Sequence, residues 1–213
     1  QNPFLLVPKM ELERAKKTGI KAYSIEKKRF FESIHQIIGT NRLKVNKMGI
    51  NKNTFTLTSY KNFKKQFKKI RTYDLNQDCL KLRMTKTEKE IDFLKKSCNY
   101  ADKLIQKTIS NFKDFKTESE AAAFLVYETK RNGLDLAFDP IVASGSNSSM
   151  PHHKPLNVKI KKGFCVVDFG VKYNGYCSDI TRTIYIGKPS QKEKSVYNLL
   201  LKIQNDVISQ KQK

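Results

Sequence analysis

The sequence predicts an α/β chain, strictly α+β, with a small mixed unit over residues 1–78 and a second unit over residues 79–213. Three observations lead there. Apolar residues recur at three- and four-residue steps behind Ser/Thr-x-x-Glu capping signals, the mark of amphipathic helices. Two runs rich in β-branched and aromatic residues flank Asn174 and Gly175, a two-residue hairpin signal. No internal repeat or low-complexity linker interrupts these patterns.

Composition narrows the function classes. The 213 residues are 38% hydrophobic and 10% aromatic, which suits a globular chain and not a disordered one. No run approaches the roughly 18 uninterrupted apolar residues of a membrane span. The first 17 residues lack signal-peptide architecture, and without an initiating methionine the N-terminus is read as incomplete. Cys79, Cys98, Cys165 and Cys177 form no CxxC pair, so reduced, buried thiols in a cytoplasmic protein are expected. A net charge of +22 raises the question of nucleic acid. Only seven of the 42 basic residues are Arg, and the lysines spread along the whole chain, which describes a general surface better than a dedicated reader of bases or phosphates.

In the first unit, the apolar run at residues 4–7 is expected as a buried strand, followed by a helix near 11–17. Residues 21–39 mix both signals, and His35 within them is read as a packing residue. A short strand is expected near 47–51. From Leu57 to Ile70 the stripe Leu57, Tyr60, Phe63, Phe67 and Ile70 has helical spacing, with lysines mostly on the other face. A core-facing helix with a solvated lysine face is preferred to a membrane-surface helix.

In the second unit, Thr87 and Glu90 form a capping box ahead of a long stripe of Ile91, Leu94, Cys98, Ala101, Ile105 and Ile109. Thr117 and Glu120 open another helix, which Gly133 should stop. A strand over 138–143 leads into a small-residue loop at 144–149. Ser190 and Glu193 cap a third helix with Val196, Leu199, Leu200, Ile203 and Val207 on one face, before a polar tail.

The chemistry concentrates between residues 138 and 187. If Asn174 and Gly175 form the hairpin turn, Tyr173 faces Tyr176, Gly170 faces Asp179, and Asp168 faces Thr181. Asp168 and Asp179 then share one side of the ribbon as diagonal neighbours, roughly 7 Å apart. Two carboxylates so spaced can straddle a pair of metal ions about 3.5–4 Å apart, and the bare Gly170 would leave room for a metal and its water. A structural network with Arg182 or the threonines explains the same aspartates equally well. His152 and His153 sit in a Ser/Pro-rich loop, and adjacent side chains in extended backbone point opposite ways, so at most one faces a common site.

The stretches FDPIVASGSNSSMPHHKP and IKKGFCVVDFGVKYNGYCSDITRTIYIGKPS closely resemble the catalytic domain of the Xaa-Pro peptidases, the Xaa-Pro aminopeptidases and Xaa-Pro dipeptidases (prolidases). LKLRMTKTEKEIDFLKKSCNYADK resembles the helix opening that domain, and FLLVPKMELERAKK and the region through Tyr73 resemble part of a creatinase-type N-terminal domain. The resemblance implies a partial creatinase-like domain over residues 1–78 and the first half of a pita-bread metallopeptidase domain over 79–213. It implies Asp168 and Asp179 as two of five ligands to two divalent metal ions (Mn, Co or Zn). It gives His152 a catalytic role in contacting substrate and the tetrahedral species, and puts Thr181 beside the metals.

The implied substrate is a proline-containing peptide cut at its N-terminus. The remaining ligands, a histidine and two glutamates, belong to the second half of such a domain. The chain is therefore read as a portion of a longer enzyme, expected to be inactive alone and, at full length, a candidate homodimer, ahead of two other readings: a piece completed by another, C-terminal chain, and a non-catalytic pita-bread protein binding nucleic acid or protein. Methionine aminopeptidase is the nearest enzymatic rival.

Overall fold

The structure, a computed structural model, describes residues 3–25 and 30–210. The assignments at residues 26–29 and the last three residues of the polar tail lie outside the described residues. The chain separates into two compact units, Gln1–Thr85 and Lys86–Lys213. At the expected boundary of 78/79 the helix α4 (Asn76–Met84) runs through unbroken, and the division falls after it. Its Leu80, Leu82 and Met84 are all exposed, so no apolar stripe announces this helix in the sequence.

In the first unit, β1 (Phe4–Pro8) pairs in parallel with β2 (Lys21–Ile25), and α1 (Leu12–Lys16) crosses between them. After α2 (Phe30–Thr40), β3 (Lys47–Ile50) pairs in parallel with β4 (Arg71–Asp74), connected by α3 (Leu57–Gln66). Parallel strands need such crossovers because a tight turn cannot join them. The helix expected over 57–70 stops at Gln66, because Phe67 leaves helical geometry and the chain enters β4. Phe63 and Phe67 are buried while Leu57 is 80% exposed, so only the later part of the stripe faces a core. That core is aromatic, with Phe63 against Phe31, Phe55 and Phe67. Lys61 and Lys65 take the solvated face. His35 is exposed, yet its ring meets that of Phe67 with centroids 5.8 Å apart.

The second unit begins with α5 (Glu88–Ser110), whose capping box is complete: Thr87 accepts from the Glu90 N–H, and Glu90 accepts from the Thr87 N–H. Its buried line runs Ser97, Ala101, Leu104, Ile105, Thr108, shifted from the expected stripe in its first half. Ser97 replaces Cys98 there because its hydroxyl donates to the Val171 carbonyl at 2.9 Å, which satisfies both groups in the interior. In α6 (Glu118–Arg131), Thr117 caps as expected, but Glu120 accepts from the Lys116 N–H at 2.6 Å, one residue earlier than a capping box requires. Gly133 ends the helix with φ +71°, in the left-handed region that glycine tolerates.

Two three-stranded ladders complete the unit. One has β6 (Ile141–Ser144) and β10 (Ile180–Ile186) on either side of β7 (Gly163–Phe169), all antiparallel. The other sets β5 (Asp135–Leu136), β8 (Val171–Tyr173) and β9 (Tyr176–Cys177) side by side. The strand expected at 138–143 starts later, past Pro140, which has no N–H to give a ladder. Cys165, Val167 and Phe169 of β7 are fully buried and, with Val142, form one core with Ala101, Leu104 and Ile105 of α5 and Leu125 of α6. The intervening Phe164, Val166 and Asp168 project to the other side.

The last helix, α7 (Gln191–Gln210), carries no buried residue, and its Leu199, Leu200 and Ile203 are at least half exposed. All four cysteines are free, but only Cys165 is buried, which corrects the expectation for the others. Cys79 lies on α4, which buries nothing, while Cys98 and Cys177 fall on the solvent sides of α5 and β9. Among the described residues no helix is long and apolar enough to cross a membrane.

Candidate metal centre and its histidine loop

The hairpin that carries the aspartates follows the register read from its turn. Tyr173 pairs with Tyr176, Lys172 with Cys177, and Asp168 with Thr181, so one register spans both ladders. Asn174 and Gly175 have φ of +48° and +87°, as a primed two-residue turn demands. The turn is tied to the start of α5, because the Tyr176 hydroxyl donates to Glu90 at 2.7 Å. Glu90 is held down at about 2 by hydrogen bonds from the Thr87 N–H, the Tyr176 hydroxyl and the Thr87 hydroxyl.

Between the ladders the strands approach closely. A Cβ at Gly170 would lie 2.0 Å from the Ser178 carbonyl oxygen and 3.0 Å from the Phe138 ring. The space expected there for a metal is thus filled, and Gly170 serves the backbone crossing instead. Ser178 locks the crossing, donating its N–H to the Val171 carbonyl at 2.9 Å and accepting the Val171 N–H on its hydroxyl at 3.0 Å.

Asp168 is half-buried on the side of β7 away from the core, and its Oδ1 accepts from the Thr181 hydroxyl at 2.8 Å. Asp179 is exposed. Neither is ion-paired with Lys or Arg among the described residues. Arg182, the alternative partner, instead faces Asp102 of α5 at 3.7 Å, on the other side of the sheet. In a chain of net charge +22, two carboxylates without a cationic partner among the described residues keep lone pairs available to a hard divalent cation. The donor set fits such an ion but is small: among the described residues no three His, Cys, Asp or Glu side chains are grouped to hold a metal.

The histidine loop is organised from α6. Glu118 is fully buried at the first position of that helix. Its Oε1 accepts from the Ser144 N–H at 2.8 Å, the Ser144 hydroxyl at 2.9 Å and the Asn147 amide at 3.0 Å. Its Oε2 meets His153 Nε2 at 2.8 Å and accepts from the Leu156 N–H at 3.3 Å. Burial alone would raise the Glu118 pKa, but these donors outweigh it and hold the carboxylate at about 2. His153 is therefore the inward histidine, and its neighbour His152 is exposed. Glu118 is the residue that sequence reasoning passed over. It stands between Thr117 and Glu120, where an acidic residue reads as ordinary helix-start chemistry.

Against known proteins, residues 92–213 match the model of metallopeptidase family M24, and residues 1–85 match the creatinase/prolidase N-terminal domain. An Xaa-Pro dipeptidase of Pyrococcus furiosus is 36% identical over 96% of this chain and 57% of its own length. The crystal structure of an X-Pro aminopeptidase from Thermotoga maritima superposes with a TM-score of 0.86 at 28% identity, over 96% of this chain and 58% of that one. The prolidase of Pyrococcus horikoshii gives 0.85 at 32% identity, over 97% and 58%. The chain thus spans a little over half the length of the relatives it matches. With both domain models matched in order and the pita-bread architecture shared with solved prolidases, the chain belongs to the Xaa-Pro peptidases of metallopeptidase family M24.

Proposed function

We propose that this chain supplies the creatinase-like domain and the first half of the catalytic domain of an enzyme that hydrolyses Xaa-Pro bonds at peptide N-termini. The observation carrying this reading is the hairpin register, which sets Thr181 opposite Asp168 and bonded to it, with Asp168 and Asp179 both lacking a basic partner among the described residues. On this reading the two aspartates hold two divalent ions together with ligands from outside these 213 residues. Mn, Co and Zn all suit carboxylate and imidazole donors. When bound, such a pair of ions lowers the pKa of water and polarises the scissile carbonyl.

This chain's own residues have separate tasks. Thr181 donates to Asp168 Oδ1 and fixes the carboxylate's rotation, which would leave Oδ2 free to ligate a metal ion. His152, exposed on the loop, donates a hydrogen bond to the substrate carbonyl and to the oxyanion that develops from it. The closed Ser178 crossing sets the spacing of the aspartates. The reading extends to dipeptides and longer peptides, since relatives of both names share the fold. It places the reaction in the cytoplasm, supported by four thiols that are all free. The creatinase/prolidase domain over residues 1–85 favours it over a methionine aminopeptidase.

The test uses the full-length protein. Asp168→Asn and Asp179→Asn are each expected to abolish metal-dependent cleavage of Xaa-Pro substrates while the circular dichroism spectrum stays that of the wild type. Near-normal activity in either variant would remove the ligand assignment.

A further inference from the structure

The loop from Ser144 to Leu156 is gripped at both ends by one buried side chain. Glu118 accepts the backbone N–H of Ser144 where the loop leaves β6, and that of Leu156 where it returns to α6. Beside the second grip, the Ser119 N–H donates to the Leu156 carbonyl and the Glu118 N–H to the Val158 carbonyl. Between the two grips lie two adjacent histidines that cannot both turn inward. With Glu118 ionised, His153 Nε2 carries the proton of the 2.8 Å bond and is drawn into the interior. His152 is left on the exposed side.

We propose that Glu118 is a positioning residue for catalysis: by binding His153 and both ends of the loop, it decides that His152 is the histidine presented to substrate. This rests on the role given to His152 above. A carboxylate suits the task because five donors converge on it, and no neutral side chain of this size accepts five hydrogen bonds. Glutamine would turn one of the two oxygens into a donor, leaving His153 or Ser144 and Asn147 mismatched and the loop loosened.

The test is a double-mutant cycle in the full-length protein loaded with Mn²⁺, combining Glu118→Gln with His152→Ala, together with backbone amide exchange over residues 144–156. Misplacing a catalytic group by about 1 Å can cost about a hundredfold. Glu118→Gln is therefore expected to lower kcat by about 10- to 100-fold with KM changed less than about threefold. It should cost nothing further in the His152→Ala background, and it should speed exchange at Ser144 and Leu156. Equal losses in both backgrounds, or unchanged exchange, would overturn the proposal. A dead His152→Ala with unaffected Glu118→Gln removes the positioning role alone. Wild-type kcat in His152→Ala removes the role of His152 and the proposal with it. Should Glu118→Gln fail to fold, His153→Phe gives the same cycle, removing one of the five bonds and keeping a ring of similar size.

Discussion

Gly170→Ala tests whether the aspartate hairpin is closed by backbone contact. The added methyl would sit 2.0 Å from the Ser178 carbonyl oxygen and 3.0 Å from both the Ser178 carbonyl carbon and Phe138 Cε1, where ordinary contact begins at 3.4 Å. Backbone must therefore retreat by about 1 Å or more, and no flexible side-chain tip is available to yield in its place. Ser178 cannot retreat without stretching its two bonds to Val171, at 2.9 and 3.0 Å.

Overpacking costs about 1–3 kcal/mol, and each weakened hydrogen bond about 0.5–1.5 kcal/mol. A loss of about 2–4 kcal/mol is expected, equivalent to a urea midpoint lowered by roughly 1–2 M. The assay is equilibrium urea unfolding followed by circular dichroism, because the chain has no tryptophan. Gly39→Ala is the control: it lies in α2 with nothing within 4 Å and should be neutral or slightly stabilising. A Gly170→Ala midpoint within about 0.3 M of wild type, at unchanged slope, would refute the close crossing.

Thr181→Val removes the hydroxyl that donates to Asp168 and should raise the Mn²⁺ concentration for half-maximal activity by about tenfold, read from a metal titration. The Cys165 thiol is pushed up to about 12 by burial and by the nearby Glu118 charge, against a weaker opposing backbone hydrogen bond from Ala143. Alkylation of the native protein at pH 8 should therefore leave the Cys165 peptide unlabelled until denaturant is added, as mass spectrometry will show. Glu118 titrates at about 2 when folded against an ordinary 4.5, so its stabilisation is complete above about 4.5 and is lost as the pH falls toward 2. Acid unfolding of Glu118→Gln should depend less on pH across that window than the wild type, and identical slopes would contradict the network.

The legible parts of this protein were those that local physics decides. Asn174 and Gly175 fix a primed turn, and with side chains alternating at a period of two, the turn alone places Thr181 opposite Asp168. Thr87 and Glu90 satisfy each other's backbone groups within one helical turn, so their capping box needs no distant partner. The domain order was legible through resemblance, carried by the VDFG and SDITRT stretches.

Tertiary structure decided what depends on partners far along the chain. Ser97 is buried in place of Cys98 because Val171, 74 residues away, offers it a carbonyl. Gly170 is occupied by the Ser178 backbone, a close approach that no pattern of side chains reveals. Glu118 reads in sequence as one more acid at a helix start. Only the fold brings Ser144, Asn147, His153 and Leu156 to it, from 26 to 38 positions away, and so separates two neighbouring histidines into one that is held and one that is left exposed. A buried carboxylate is stable only when donors surround it, and those donors are contributed by the fold, not by neighbours in the chain.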